Sequence, residues 1–145
     1  MPISPELLKI IKERIRGTMM ELIGFLPVEA SKERVVAELP FRDDLTQPMG
    51  LFHAGAILSL ADSAATILAN QNIMARPGKF DPARFAMTVQ LSANFVRNSS
   101  AEKIVAEAIP IHVGRRMLVV QTTVCDEDGN LFATVTTTMM TSSPT

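Results

Sequence analysis

The chain has 145 residues, 47% hydrophobic and 20% charged, with a net charge of −1 at pH 7. That length and composition fit one folded domain, 1–145, with a core of its own, and exclude the apolar-poor make-up of a disordered chain. The near-neutral balance gives no electrostatic footprint for nucleic acid or an anionic membrane surface, although a few local basic residues can still hold a phosphate.

Cys125 is the single cysteine, so no internal disulfide can form; this agrees with a reducing cytoplasm. The N-terminal run MPISPELLKIIKERIR scatters Glu6, Lys9, Lys12 and Glu13 among its apolar residues, unlike a secretory signal. Asp62 interrupts the best candidate for a membrane span. The expectation is a soluble cytoplasmic protein with no membrane partner.

Ser4-Pro5 reads as an N-cap and first helical residue, and Leu7, Leu8, Ile11 and Ile15 follow at helical spacing to about Gly17. Glu21 to Glu29 and Glu33 to Phe41 read as two strands. In the second, Val35, Ala37 and Leu39 share one face, with Arg34 and Glu38 on the other. The loop RDDLTQPMG leads into a proline-free helix, Ala54 to Asn70, apolar nearly all round and therefore expected to be buried. QNIMARPGKFDPAR reads as a loop.

The period then changes to two. In MTVQLSANF the odd positions Met87, Val89, Leu91, Ala93 and Phe95 are apolar and the even ones, Thr88 among them, are polar. Three more strands follow, Lys103 to Val113, Met117 to Cys125 and Leu131 to Met140, with an Asp-Gly turn signal in DEDGN. An antiparallel sheet must cover a helix that is apolar on every side. The economical solution curls it around that helix and leaves one flank for a second subunit: an α+β homo-oligomer.

From Leu45 to Ala75 the chain carries one formal charge, Asp62. A carboxylate in an apolar run is costly unless paired or hydrogen-bonded, so its purpose is either catalysis or a local bond to a hydroxyl or water. Thr66, one turn further on, and Thr88 are the hydroxyls that can reach it or position a water. His53, Ala54 and Gly55 begin the helix, where unpaired N–H groups and the dipole favour negative charge. Arg115 and Arg116, in the tight connection after Gly114, suit phosphate groups or are solvated turn residues; Arg97 is a further candidate of the same kind.

This order of elements resembles the hotdog fold, a curled antiparallel sheet wrapped around one long central helix. Within it, QPMGLFHAGAILSLAD is similar to the signature of the phenylacetate-degradation-type acyl-CoA thioesterases: Asn or Gln, then His-Gly-Gly six residues on, then Asp or Glu nine residues after the His. Gln47, His53-Ala54-Gly55 and Asp62 occupy those positions. HVGRRMLVVQTTVCDEDGNLFATVTTT also looks like the family's terminal hairpin.

The resemblance implies hydrolysis of an acyl-CoA thioester, with active sites at a dimer interface and no metal or cofactor beyond the coenzyme A of the substrate. It implies that Asp62 attacks the thioester or activates water, that backbone N–H groups at Ala54 and Gly55 hold the oxyanion, that His53 orients this turn, and that Gln47 holds the carbonyl or the water. Arg115, Arg116 and Arg97 become candidates for coenzyme A phosphates. One departure is Ala54, where the family has Gly; it keeps the N–H and adds a methyl group. Two other readings fit the same residues: a hotdog hydratase or dehydratase, and a protein that binds acyl-CoA without turnover.

Overall fold

A computed structural model describes residues 2–74, 76 and 79–142. Helix α1, Pro5–Ile15, starts as the sequence predicts: the Ser4 hydroxyl accepts from the Leu7 N–H at 3.2 Å, with proline in the first turn. Leu7 and Ile11 turn inward.

The expected first strand is divided. Its beginning is a short helix, α2, Met19–Ile23, and only Leu26–Ala30 is the strand β1. Local chemistry explains the difference. Thr18 is the N-cap, its hydroxyl donating back to Ile15 O at 2.5 Å rather than capping the helix, and the Glu21 carboxylate in the first turn accepts from the Gly17 N–H at 2.6 Å. Gly24, at φ 85°, ends the helix: its N–H donates to Glu21 O and the Phe25 N–H to Met20 O, both at 3.0 Å.

Strand β2, Val35–Pro40, buries Val35, Ala37 and Leu39 as their alternation predicts. The central helix α3, Ala54–Ile73, runs three residues past its expected end into the predicted loop; Ala75, Pro77 and Gly78 of that loop lie outside the described residues. Strands β3 (Ala86–Phe95), β4 (Lys103–Val113), β5 (Met117–Asp126) and β6 (Leu131–Thr141) match their predicted positions to within a residue.

The six strands form one antiparallel sheet in the order β1-β2-β4-β5-β6-β3. Helix α3 therefore carries the chain from β2, near one edge, across to β3 at the other, and it packs on all six strands. Ala61, Ala64 and Ala65 lie fully buried against the sheet, beside Leu60 and Leu68 and opposite Ile104, Ala106 and Val124. Small side chains let helix and sheet approach closely, and each buried Leu, Ile or Phe contributes roughly 1.5–3 kcal/mol. The opposite side of α3 is less covered within the chain: Ser59, Asp62, Ser63, Thr66 and Asn70 form a half-buried polar strip there, its far end under α1 at Thr66 and Asn70, where an all-apolar buried helix was expected.

Strand β3 departs most from the simple alternation. A bulge between Thr88 and Gln90 shifts its register against β6. Before the bulge Ala86 and Thr88 are the inward positions; after it Leu91 and Ala93 are. Met87 and Val89, expected on the inner face, are 50% and 58% exposed.

Candidate active site

The loop before α3 is built to fix the helix start. Phe52 is fully buried and packs edge-on against Phe41, with ring centroids 5.3 Å apart. The His53 N–H donates to Leu45 O at 2.8 Å, and Asn98 Nδ2, just beyond β3, donates to Phe52 O at 2.7 Å. Asn98 is a positioning residue that the sequence reading missed; nothing in its local pattern marks it, because its partner is 46 residues away.

His53 is the N-cap of α3. Its Nδ1 accepts from the Gly55 N–H at 2.8 Å, so the neutral ring carries its proton on Nε2. This corrects the expected pair of oxyanion donors: the Gly55 N–H is spent on His53. The Ala54 N–H has no partner among the described residues, and Ala54 is exposed. One free N–H, at the positive end of a 20-residue helix, is what the turn presents.

Gln47 closes the turn ahead of this point. Its N–H donates to Leu51 O and its carbonyl accepts from Gly50, both at 2.9 Å, and its side-chain oxygen accepts from the Met49 N–H. Gly50 sits at φ 83°, where a side chain would be strained. The side-chain oxygen of Gln47 is therefore engaged within its own loop, which leaves the amide nitrogen for a ligand.

Asp62 is half-buried rather than buried, on the less covered strip of α3. The Thr88 hydroxyl donates to its Oδ1 at 2.7 Å. Thr66 makes no such bond. It faces a groove beneath α1, and its carbonyl accepts from Asn70 Nδ2 at 2.9 Å.

Arg115 and Arg116 are exposed in the β4–β5 turn, with guanidinium groups unpaired among the described residues. Their carbonyls accept from the Thr141 hydroxyl at 3.1 Å and the Thr141 N–H at 2.9 Å, which pins the turn to the end of β6. Arg97 lies at the other end of that strand, where its N–H donates to Phe132 O at 3.3 Å. Nine residues of β6 separate the two places, about 30 Å at a strand's rise. The structure does not bring the three arginines together.

Nor does one chain bring Ala54 and Asp62 together. Eight residues of straight helix hold them about 12 Å apart, too far to act on one carbonyl. Among the described residues no three His, Cys, Asp or Glu side chains gather to hold a metal ion, and no helix is long and apolar enough to cross a membrane.

A family model described as the thioesterase superfamily matches residues 49–133, a span that includes His53, Asp62, Thr88, Asn98 and Arg115. The chain belongs to the thioesterase superfamily, and its sheet and central helix are the hotdog fold of that family. It is 30% identical over 117 residues to a Bacillus subtilis protein named "Putative esterase ComA2", covering 81% of this chain and 88% of that one. It is 28% identical to the 1,4-dihydroxy-2-naphthoyl-CoA hydrolase of Listeria monocytogenes, over 78% of this chain and 86% of that one. In fold it is similar to a mutant form of the Pseudomonas aeruginosa thioesterase PA1618, with a TM-score of 0.82 and 22% identity over 96% of this chain and 95% of that one.

Proposed function

We propose that this protein is a cytoplasmic acyl-CoA thioesterase whose active site is shared by two copies of the chain. The observation that carries the reading is the 12 Å gap between the unpartnered Ala54 N–H and Asp62 along α3. A two-fold axis beside the less covered strip sets the Ala54 N–H of one protomer against the partner subunit's Asp62. The exposed edge strand β3 and the half-buried face of α3 are the surfaces free to form that contact.

In this site the thioester oxygen lies against the Ala54 N–H, where the helix dipole stabilises the charge that develops in the transition state. His53 keeps Gly55 in place and does not act as the base. The partner subunit's Asp62, steadied by its Thr88 hydroxyl, takes a proton from water as the water oxygen bonds to the carbonyl carbon. The carbon–sulfur bond then breaks, and the coenzyme A thiolate leaves and takes up a proton. The products are a carboxylic acid and free thiol; coenzyme A enters only as part of the substrate. Arg115 and Arg116 offer its phosphates two unpaired guanidinium groups. A Listeria monocytogenes relative named as a CoA hydrolase supports the substrate class.

The test is thiol release over phenylacetyl-, hydroxybenzoyl- and graded fatty acyl-CoAs, with sedimentation on the same preparation. The reading expects turnover of at least one substrate by a species larger than the 15.8 kDa chain. Binding without thiol release would replace it with an acyl-CoA-binding role. Water addition to an enoyl-CoA with the thioester intact would replace it with a hydratase. A monomer at micromolar concentration would end the shared-site arrangement.

A further inference from the structure

The outer face of the sheet, turned away from α3, carries a row of methionines at one end. Met140 on β6 lies directly opposite Met87 on β3 and Met117 on β5. Opposed residues of an antiparallel pair share a face, and the adjacent Met139 and Leu118 are the ones buried in the core. The three thioethers therefore stand side by side on the outer face, with neighbouring Cβ atoms about 5 Å apart. Met87 and Met117 are 50% and 44% exposed, and Met140 is half-buried between them.

The next place in the row belongs to the end of β4. Gly114 stands there, and its N–H donates to Met117 O at 2.9 Å. Its φ is not left-handed, so backbone conformation does not demand a glycine. Space does. A Cβ at this position would lie 2.8 Å from Nε2 of His112. The exposed His112 ring therefore takes the room that a side chain from Gly114 would fill, and the row reads thioether, thioether, thioether, imidazole.

We infer that this row is a binding site for Cu(I), with the sulfurs of Met87, Met117 and Met140 and the imidazole of His112 as its ligands. Three thioethers and an imidazole form a soft, uncharged, oxygen-free ligand set, which selects Cu(I) over harder divalent ions. The adjoining Arg115 and Arg116 favour the same choice, because their repulsion is smaller for a singly charged ion than for a doubly charged one. Methionine is unbranched with three rotatable bonds, so the outer two sulfurs can lean toward the middle one. Strand β3 has a single strand neighbour, and a bound ion would fasten this edge strand to β6 and β5 beside Thr88.

The probe is Ag(I), which has the charge and ligand preference of Cu(I) and does not oxidise methionine. It is titrated into the Cys125→Ser chain, which lacks the competing thiol. Calorimetry gives the stoichiometry, and methyl NMR reads the nine methionines. One ion per chain is expected, with shifts confined to the methyl groups of Met87, Met117 and Met140 and to the His112 ring. Cu(I) added without oxygen should reproduce those shifts.

Met140→Leu and Met117→Leu keep the size of the side chain and remove a ligand. Each should weaken binding by about a hundredfold or more, beyond the cost of losing an outer-shell partner. Met19→Leu, at an exposed methionine of α2, should leave it unchanged. Ag(I) should raise the thermal midpoint of the parent chain and not that of Met140→Leu.

No binding at micromolar Ag(I), shifts spread over all nine methionines, or an unchanged affinity in folded Met140→Leu and Met117→Leu would overturn the site. Displacement of Ag(I) by Zn(II) would overturn its assignment to a soft monovalent ion. None of these readouts involves thioester hydrolysis, so they stand apart from the thioesterase reading.

Discussion

The Thr88 hydroxyl on β3 donates to Oδ1 of Asp62 on α3 at 2.7 Å, tying the edge strand to the single charge of the central helix. The bond leaves Oδ2 without a hydrogen-bond partner among the described residues, on the less covered side of the helix. A carboxylate held by one oxygen and open at the other is fixed in orientation and still able to take a proton.

Asp62→Asn should therefore reduce turnover by roughly 10²–10⁴-fold, the usual contribution of a positioned base. Asparagine keeps an oxygen for Thr88, and the site is half-buried, so stability should change by less than about 1 kcal/mol. Initial rate and thermal midpoint on one preparation check both. Full activity in this variant would end the proposed mechanism.

Thr88→Val keeps the shape of the side chain and removes the donor. Turnover should fall by about tenfold, in kcat rather than KM, because the carboxylate loses its orientation while substrate contacts persist. Thr88→Ser restores the hydroxyl and should recover most of the rate, whereas a purely structural threonine would show no such rescue.

Gly55→Ala tests the cap. A Cβ at this position would lie 2.9 Å from His53 Nδ1 and 3.2 Å from Cε1, so the ring must leave the Gly55 N–H. Loss of an N-cap destabilises by about 1 kcal/mol. A lower thermal midpoint with slower turnover is expected, and a variant matching wild type in both would show that the cap is dispensable.

Ala54→Gly removes a methyl group beside the free N–H and supplies the glycine of the acyl-CoA thioesterase signature. The destabilisation should be about 1 kcal/mol or less at an exposed helix start, and turnover should hold or rise. A large loss of rate in a stable variant would show that the methyl group shapes the acyl site.

Asp126 supplies the pH-dependent case. Its carboxylate accepts from the Asn130 side chain and from the Asn130 and Asp128 N–H groups, which hold its pKa below the usual carboxylate value. A folded-state pKa below the unfolded one means stability that is present at neutral pH and lost as pH falls through the folded value. Asp126→Ala should lower the thermal midpoint at pH 7, and the gap from wild type should close toward about pH 3. A gap independent of pH would assign the effect to packing instead.

Local chemistry alone determined the elements that depend on near neighbours. Ser4-Pro5 marks the start of α1, the alternation in β2 marks its buried face, and the charge-poor run around Asp62 marks both the central helix and the residue worth testing. The Glu21 bond to the Gly17 N–H and the Gly24 cap were equally local, but the strand pattern beside them masked the short helix.

Tertiary structure decided the rest. The bulge in β3 depends on its pairing with β6, and a two-against-one mismatch in a ladder cannot be read from one strand. That bulge turns Thr88 inward to Asp62 and Met87 and Val89 outward. The 30 Å between Arg97 and the Arg115–Arg116 turn follows from strand order, and the Asn98 bond to Phe52 follows from where β3 ends. In each case the deciding contact lies between residues far apart in the chain, and only the curled sheet brings them together or holds them apart.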